Sequence, residues 1–129
     1  FSMQPSVLVL IVLVIPLAHA ATASYRKKVG KALVLNLGDA NVATWKRELD
    51  GAKGEVQSTR LCVEGEIGND CGHWVDKNGD IIPGTSTVIV KGDGSLIIPH
   101  VTLEDAGSYY SPDHKPQPGL PLDVLFVDV

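Results

Sequence analysis

Between Lys31 and Leu37, Leu33, Leu35 and Leu37 fall on one side of an extended chain and Val34 and Asn36 on the other, the two-residue period of a half-buried strand. Gly38-Asp39-Ala40-Asn41 then predicts a turn, and Val42 to Arg47 a second strand. The polar, glycine-containing stretch from Leu49 to Ser58 predicts a hairpin with an exposed edge. Asp76-Lys77-Asn78-Gly79-Asp80 is a strong turn signal. Thr85 to Lys91 is rich in β-branched residues and predicts a strand, which Gly92-Asp93-Gly94 folds back onto Ser95 to Pro99. A proline-rich loop from Asp113 to Gly119 precedes a last alternating strand, Leu122 to Val129. Helical periodicity is nearly absent. Seven or so short strands, with 13 glycines and 8 prolines set largely between the apolar runs, predict an all-β sandwich.

One apolar run does not fit that pattern. Val7 to Ala18, VLVLIVLVIPLA, is 12 residues long, too short for the roughly 20 that a membrane-spanning helix needs. Ala18-His19-Ala20 follows it with the small-x-small spacing of a cleavage site, so residues 1–20 are expected to be a secretory signal peptide. Residues 21–129 then form one domain. The sequence opens on Phe1 and no Lys or Arg precedes the run, both unusual for such a leader. No second apolar run follows, and no membrane insertion is expected after cleavage. The net charge of −4 lies wholly in residues 21–129, and the basic cluster Arg26-Lys27-Lys28 reads as a solvated arm. A mildly acidic chain is a poor nucleic-acid binder, because that affinity comes from clustered Lys and Arg displacing phosphate counterions. In a secreted chain the two cysteines, Cys62 and Cys71, predict a disulfide. Closing so local a loop is worth about 2.5–3 kcal/mol by the chain-entropy estimate.

The most specific stretch runs from Gly94-Ser95-Leu96-Ile97-Ile98 to Val101-Thr102-Leu103-Glu104-Asp105-Ala106-Gly107-Ser108-Tyr109-Tyr110-Ser111. It resembles the immunoglobulin superfamily, whose E strand reads G-x-L-x-I and whose E–F corner and F strand read D-x-G-x-Y-x-C. The resemblance extends to Trp45, matching the buried tryptophan of strand C, and to Gly30 to Leu35 as strand B. It implies an immunoglobulin-like antiparallel β-sandwich of about seven to nine strands, I-set or variable-like. Leu96 and Ile98 would point inward, Asp105 and Gly107 would form a tight corner relieved by the glycine, and Tyr109 would be the tyrosine corner, bonding backbone upstream. The chain is also similar to small one-domain immunoglobulin-like proteins secreted by nematodes. It departs from the pattern at Ser111, where the family has its second cysteine, and at Leu35 or Leu37, where it has the first. The usual inter-sheet disulfide, whose removal typically costs about 2–5 kcal/mol, is therefore lacking. Cys62–Cys71 would instead pin an insertion between strands C and E.

Candidate chemistry adds little. The Asp76–Asp80 turn opens like a calcium loop, but Ile81 and Thr87 stand where the sharp-turn glycine and the bidentate glutamate belong, so no metal is expected. His73, His100 and His114 are expected to be exposed loop residues. Ser111, Asp113 and His114 lack both triad geometry and an oxyanion-hole motif, so neither catalysis nor a cofactor is expected. The candidate binding element is the F–G loop, Pro112, Asp113, His114, Lys115, Pro116, Gln117 and Pro118, stiffened by its prolines and placed where variable-type domains recognise ligands. The expected function is recognition of an extracellular or cell-surface protein, as ligand, decoy or adaptor. The alternatives are a carbohydrate- or lipid-binding module, for which Trp74 is the aromatic whose exposure decides, and a structural protein that self-associates through its strand edges.

Overall fold

The computed structural model describes residues 21–115 and 122–129; the expected leader, residues 1–20, lies outside them, as do Pro116, Gln117 and Pro118. Eight strands occur among the described residues. They are β1 (Ala21–Arg26), β2 (Leu33–Leu35), β3 (Thr44–Leu49), β4 (Val56–Arg60), β5 (Ile89–Val90), β6 (Leu96–Ile98), β7 (Gly107–Tyr110) and β8 (Leu122–Asp128). Helical structure is confined there to single 3₁₀ turns at Asp50–Ala52 and Leu103–Asp105. One sheet has the order β1-β8-β7-β3-β4 and the other β2-β6-β5. All neighbours are antiparallel except β1 and β8, which run parallel from Ala21 beside Leu122 to Arg26 beside Asp128.

The core lies between the sheets and follows the alternation of the sequence. Leu33, Leu35, Leu37, Leu96 and Ile98 meet Trp45, Tyr109, Leu125 and Val127 there, while Val34 and Phe126 face out. Trp45 is fully buried, and its indole N–H donates to the Gly94 carbonyl at 3.0 Å, tying β3 to the β5–β6 turn of the other sheet. Gly94 has φ 89°, and an added Cβ would collide with the Asp39 carbonyl oxygen, so this turn needs a glycine twice over. At Gly107 the reason differs from the expectation. Its φ is not in the left-handed region; a Cβ would strike the Glu48 carbonyl oxygen and lie 2.8 Å from the Leu49 Cα. The glycine there permits close strand approach and does not relieve a turn.

Two strand boundaries also differ from the sequence reading. Residues Ala21–Arg26, read as ending in a solvated arm, form β1, with Ala23 and Tyr25 packed against the core and Arg26 ion-paired to Asp128 in solvent. The segment Thr85 to Lys91 contributes only Ile89–Val90 to a sheet. Its earlier residues are held by side chains instead: Thr85 Oγ1 donates to the Ile82 carbonyl and Ser86 Oγ to Asp105.

A buried polar cluster crosses this core. Arg47, two residues after Trp45 and so on the same face of β3, is 1% exposed. Its Nη1 donates to Asp105 Oδ1 at 2.8 Å and to the Tyr109 hydroxyl at 3.0 Å, and its Nε to Gln57 Oε1 at 2.8 Å. The guanidinium lies 4.0 Å from the Trp74 ring centre, and Trp74 meets Tyr109 edge-on at 6.0 Å. Trp74, not Trp45, is thus the ring against Tyr109. Asp105 is fully engaged, accepting also from the Thr102 N–H and from the hydroxyls of Thr102 and Ser86. The Tyr109 hydroxyl donates to the Asp105 carbonyl at 2.6 Å, the backbone contact expected of a tyrosine corner. Burial pushes the Tyr109 phenol up to about 12, against the opposing pull of Arg47.

Candidate recognition surface

Strand direction brings three loops to one end of the five-stranded sheet. Thr44, at the start of β3, pairs with Arg60, at the end of β4, and the Leu61 N–H donates to the Ala43 carbonyl at 2.7 Å. Lys46 pairs with Tyr110, the last residue of β7. The turn before β3 (residues 38–43), the loop after β4 (residues 61–73) and the start of the loop after β7 (residues 111–115) therefore share a pole. The start of the loop after β7 and the disulfide-closed loop, read separately from the sequence, belong to one surface.

The start of the loop after β7, residues 111–115, is tied to the turn before β3. Asp113 Oδ2 accepts from the N–H groups of Ala43 and Thr44, at 3.0 and 2.7 Å, capping the open start of β3. Ser111 Oγ donates to the Thr44 carbonyl at 2.6 Å and accepts from the Asp113 N–H. His114 corrects the expectation of exposed histidines. It is only 5% exposed, and its Nδ1 lies 3.0 Å from Asp39 Oδ2. That contact and the Asn41 N–H hold the Asp39 carboxyl below its ordinary range. His73 and His100 are exposed as expected. Of the described part of the predicted loop, His114 is buried, while Pro112, Asp113 and Lys115 stay at the surface, Asp113 with its carboxylate bonded back to the start of β3.

The second loop is closed by the Cys62–Cys71 disulfide. Arg60, just before it, reaches into it with two ion pairs, Nη2 to Glu66 Oε2 at 2.6 Å and Nε to Asp70 Oδ2 at 2.9 Å. The Glu66 carboxyl is held low chiefly by Arg60 and then by the Val63 N–H that it caps. Val63 to Glu66 is a β-turn closed at 3.0 Å, with Gly65 at its third position and φ 82°, as a type II turn demands. Asp70 closes back onto the sheet, its carbonyl accepting from the Arg60 N–H and Thr59 Oγ1. Val63 and Ile67 remain outside this frame, 73% and 98% exposed.

Other candidates resolve into structure. Cys62, Cys71 and Glu66 cluster closely enough to suggest a metal site, but both sulfurs are joined in the disulfide and Glu66 is committed to Arg60. Asp76 Oδ1 accepts from the Asn78 and Asp80 N–H groups, which makes that segment a side-chain-capped turn. Trp74 is fully buried and offers no exposed platform. No helix among the described residues is long and apolar enough to cross a membrane. Sequence reasoning missed Arg47, although the period-two count from Trp45 marks it as inward. It also missed the Asp39–His114 and Asp113 ties, which join residues about 70 positions apart and have no local signal. No family model matches this chain, and no curated protein matches it.

Proposed function

We propose that this chain is a secreted immunoglobulin-like domain that works by binding another extracellular protein through the loop pole of its five-stranded sheet. The fold half of this reading is supported by the strand order β1-β8-β7-β3-β4 facing β2-β6-β5, the buried Trp45 and the Tyr109–Asp105 hydroxyl contact. The observation that carries the functional half is that two independently braced segments flank the turn before β3 at one pole of the sheet. The start of the loop after β7 is tied down by Asp113 and His114, the other loop by a disulfide and Arg60. Loops ordered before contact lose little conformational freedom on association, which favours recognition. The buried Trp74 argues against a carbohydrate platform, which needs an exposed ring.

The test is a binding screen of residues 21–129, in multivalent form, against purified secreted and cell-surface ectodomains. Specific binding that weakens when Lys115–Gly119 is shortened is expected. A shortened chain that keeps every interaction removes the F–G loop from the reading, and a panel without any interaction overturns it. Secretion is checked separately by N-terminal sequencing of exported product, which should begin at Ala21.

A further inference from the structure

We propose that the disulfide-closed loop is the main contact element of this surface, with Ile67 as an apolar anchor for a small pocket rimmed by Lys or Arg on the partner protein. The inference rests on the recognition reading above and names the side chain and partner chemistry within it. Ile67 and Val63 are the two most exposed large hydrophobic residues among those described. They sit on the loop held by the disulfide, by both Arg60 ion pairs and by the Gly65 turn. Held 98% exposed on a braced loop, Ile67 contributes no burial to the fold and is left available to a partner. A rigid apolar tip is what a buried contact at the centre of an interface uses, since its desolvation is favourable and its ordering cost has already been met.

Charge selects the occupant. The loop contains Glu64, Glu66 and Asp70 and no Lys or Arg. Arg60 answers Glu66 and Asp70, which leaves Glu64 without an ion-pair partner among the described residues. An acidic tip is repelled by anionic lipid surfaces and by nucleic acid. A second copy fits poorly as well, because the concavity beside Val56 and Ile82 is lined by Glu55 and Asp76 against the single cation Lys77. A protein pocket with a basic rim satisfies both the isoleucine and the glutamate.

The experiment measures association and dissociation rates of the ectodomain found by the screen with wild type, Ile67→Ser, Ile67→Val and Glu64→Lys. Vesicles of phosphatidylcholine with phosphatidylserine are run in parallel. Both positions are exposed, so near-UV circular dichroism should be unchanged. Ile67→Ser should weaken binding about 10- to 100-fold, mainly through faster dissociation, while Ile67→Val keeps most of the affinity. Glu64→Lys should slow association and reverse its salt dependence. Ile67→Ser binding like wild type overturns the anchor and leaves the recognition reading standing. Absence of any ectodomain partner overturns both. Ile67-dependent binding to vesicles alone reassigns the loop to a lipid surface and overturns the protein pocket.

Discussion

Arg47→Met keeps most of the length of the side chain and removes its charge. In the wild type the guanidinium answers Asp105 at 2.8 Å, and both side chains are almost wholly removed from solvent. After the change, Asp105 keeps the Thr102 N–H and the hydroxyls of Thr102 and Ser86, but no cation remains to balance it. Gln57 and the Tyr109 hydroxyl lose a donor at the same time. Leaving one member of a buried pair uncompensated costs about 3–5 kcal/mol. Against a total of about 5–15 kcal/mol for a small domain, that takes a large share of the stability. It corresponds to a fall in Tm of roughly 15–30 °C. Urea unfolding followed by fluorescence of the buried Trp45 and Trp74, with the disulfide intact, reads it directly. The double variant Arg47→Met/Asp105→Asn should recover at least about 1.5 kcal/mol relative to the sum of the single changes, since contacting sites are not additive. A loss below about 1 kcal/mol for Arg47→Met, or a cycle that closes additively, would refute the claim that this pair organises the core.

Tyr109 ties pH to the same cluster. An unfolded tyrosine ionises near 10, and the folded phenol is held up to about 12. The folded state therefore keeps a proton that the unfolded state releases, and stability is lost as pH rises from about 10 toward 12. Tyr109→Phe should cost about 1–3 kcal/mol at neutral pH and flatten that alkaline slope; equal slopes in both proteins would dismiss the assignment. Gly107→Ala should destabilise by at least about 1–3 kcal/mol because its methyl group meets the Glu48 backbone, measurable as a lowered urea midpoint. Asp113→Ala should cost about 0.5–1.5 kcal/mol and speed hydrogen exchange at the Ala43 and Thr44 amides, with distant core amides slowed as before. On the acid side, the Glu66 carboxyl is held below its usual range, so its contribution is present above the unfolded value near 4.5 and lost as pH falls through the lower folded value. Protection of the Val63 amide, measured relative to its intrinsic exchange rate, should fall over that interval, while in Glu66→Gln the protection should no longer vary with acid.

What was legible in the sequence was what repeats locally. Leu33, Leu35 and Leu37 announced their burial by alternation, and the Gly92–Gly94 turn announced its hairpin by composition. β1 stayed hidden because Ala-Thr-Ala-Ser-Tyr-Arg has only weak apolar alternation; it is a strand because β8 supplies a parallel partner about 100 residues away. Thr85 to Val88 had strand composition but is occupied by side-chain bonds to Ile82 and Asp105, which outweighed β propensity. His114 looked like a loop histidine because its partner, Asp39, is 75 positions distant. The candidate surface was visible in parts, as two loops. Their meeting at one pole depends on the direction of β3, β4 and β7, which no spacing in the sequence states.

The parallel pairing of β1 with β8 sets the polarity with which this protein can be attached to anything else. Ala21 lies beside Leu122, at the pole where β7 ends and β8 begins, and Arg26 lies beside Asp128 at the opposite pole. A partner fused directly to Ala21 would start at the loop pole. Whatever is joined beyond Val129 projects from the far end. A fusion at Ala21 would therefore crowd the loop pole, whereas a carboxyl-terminal tether presents it outward.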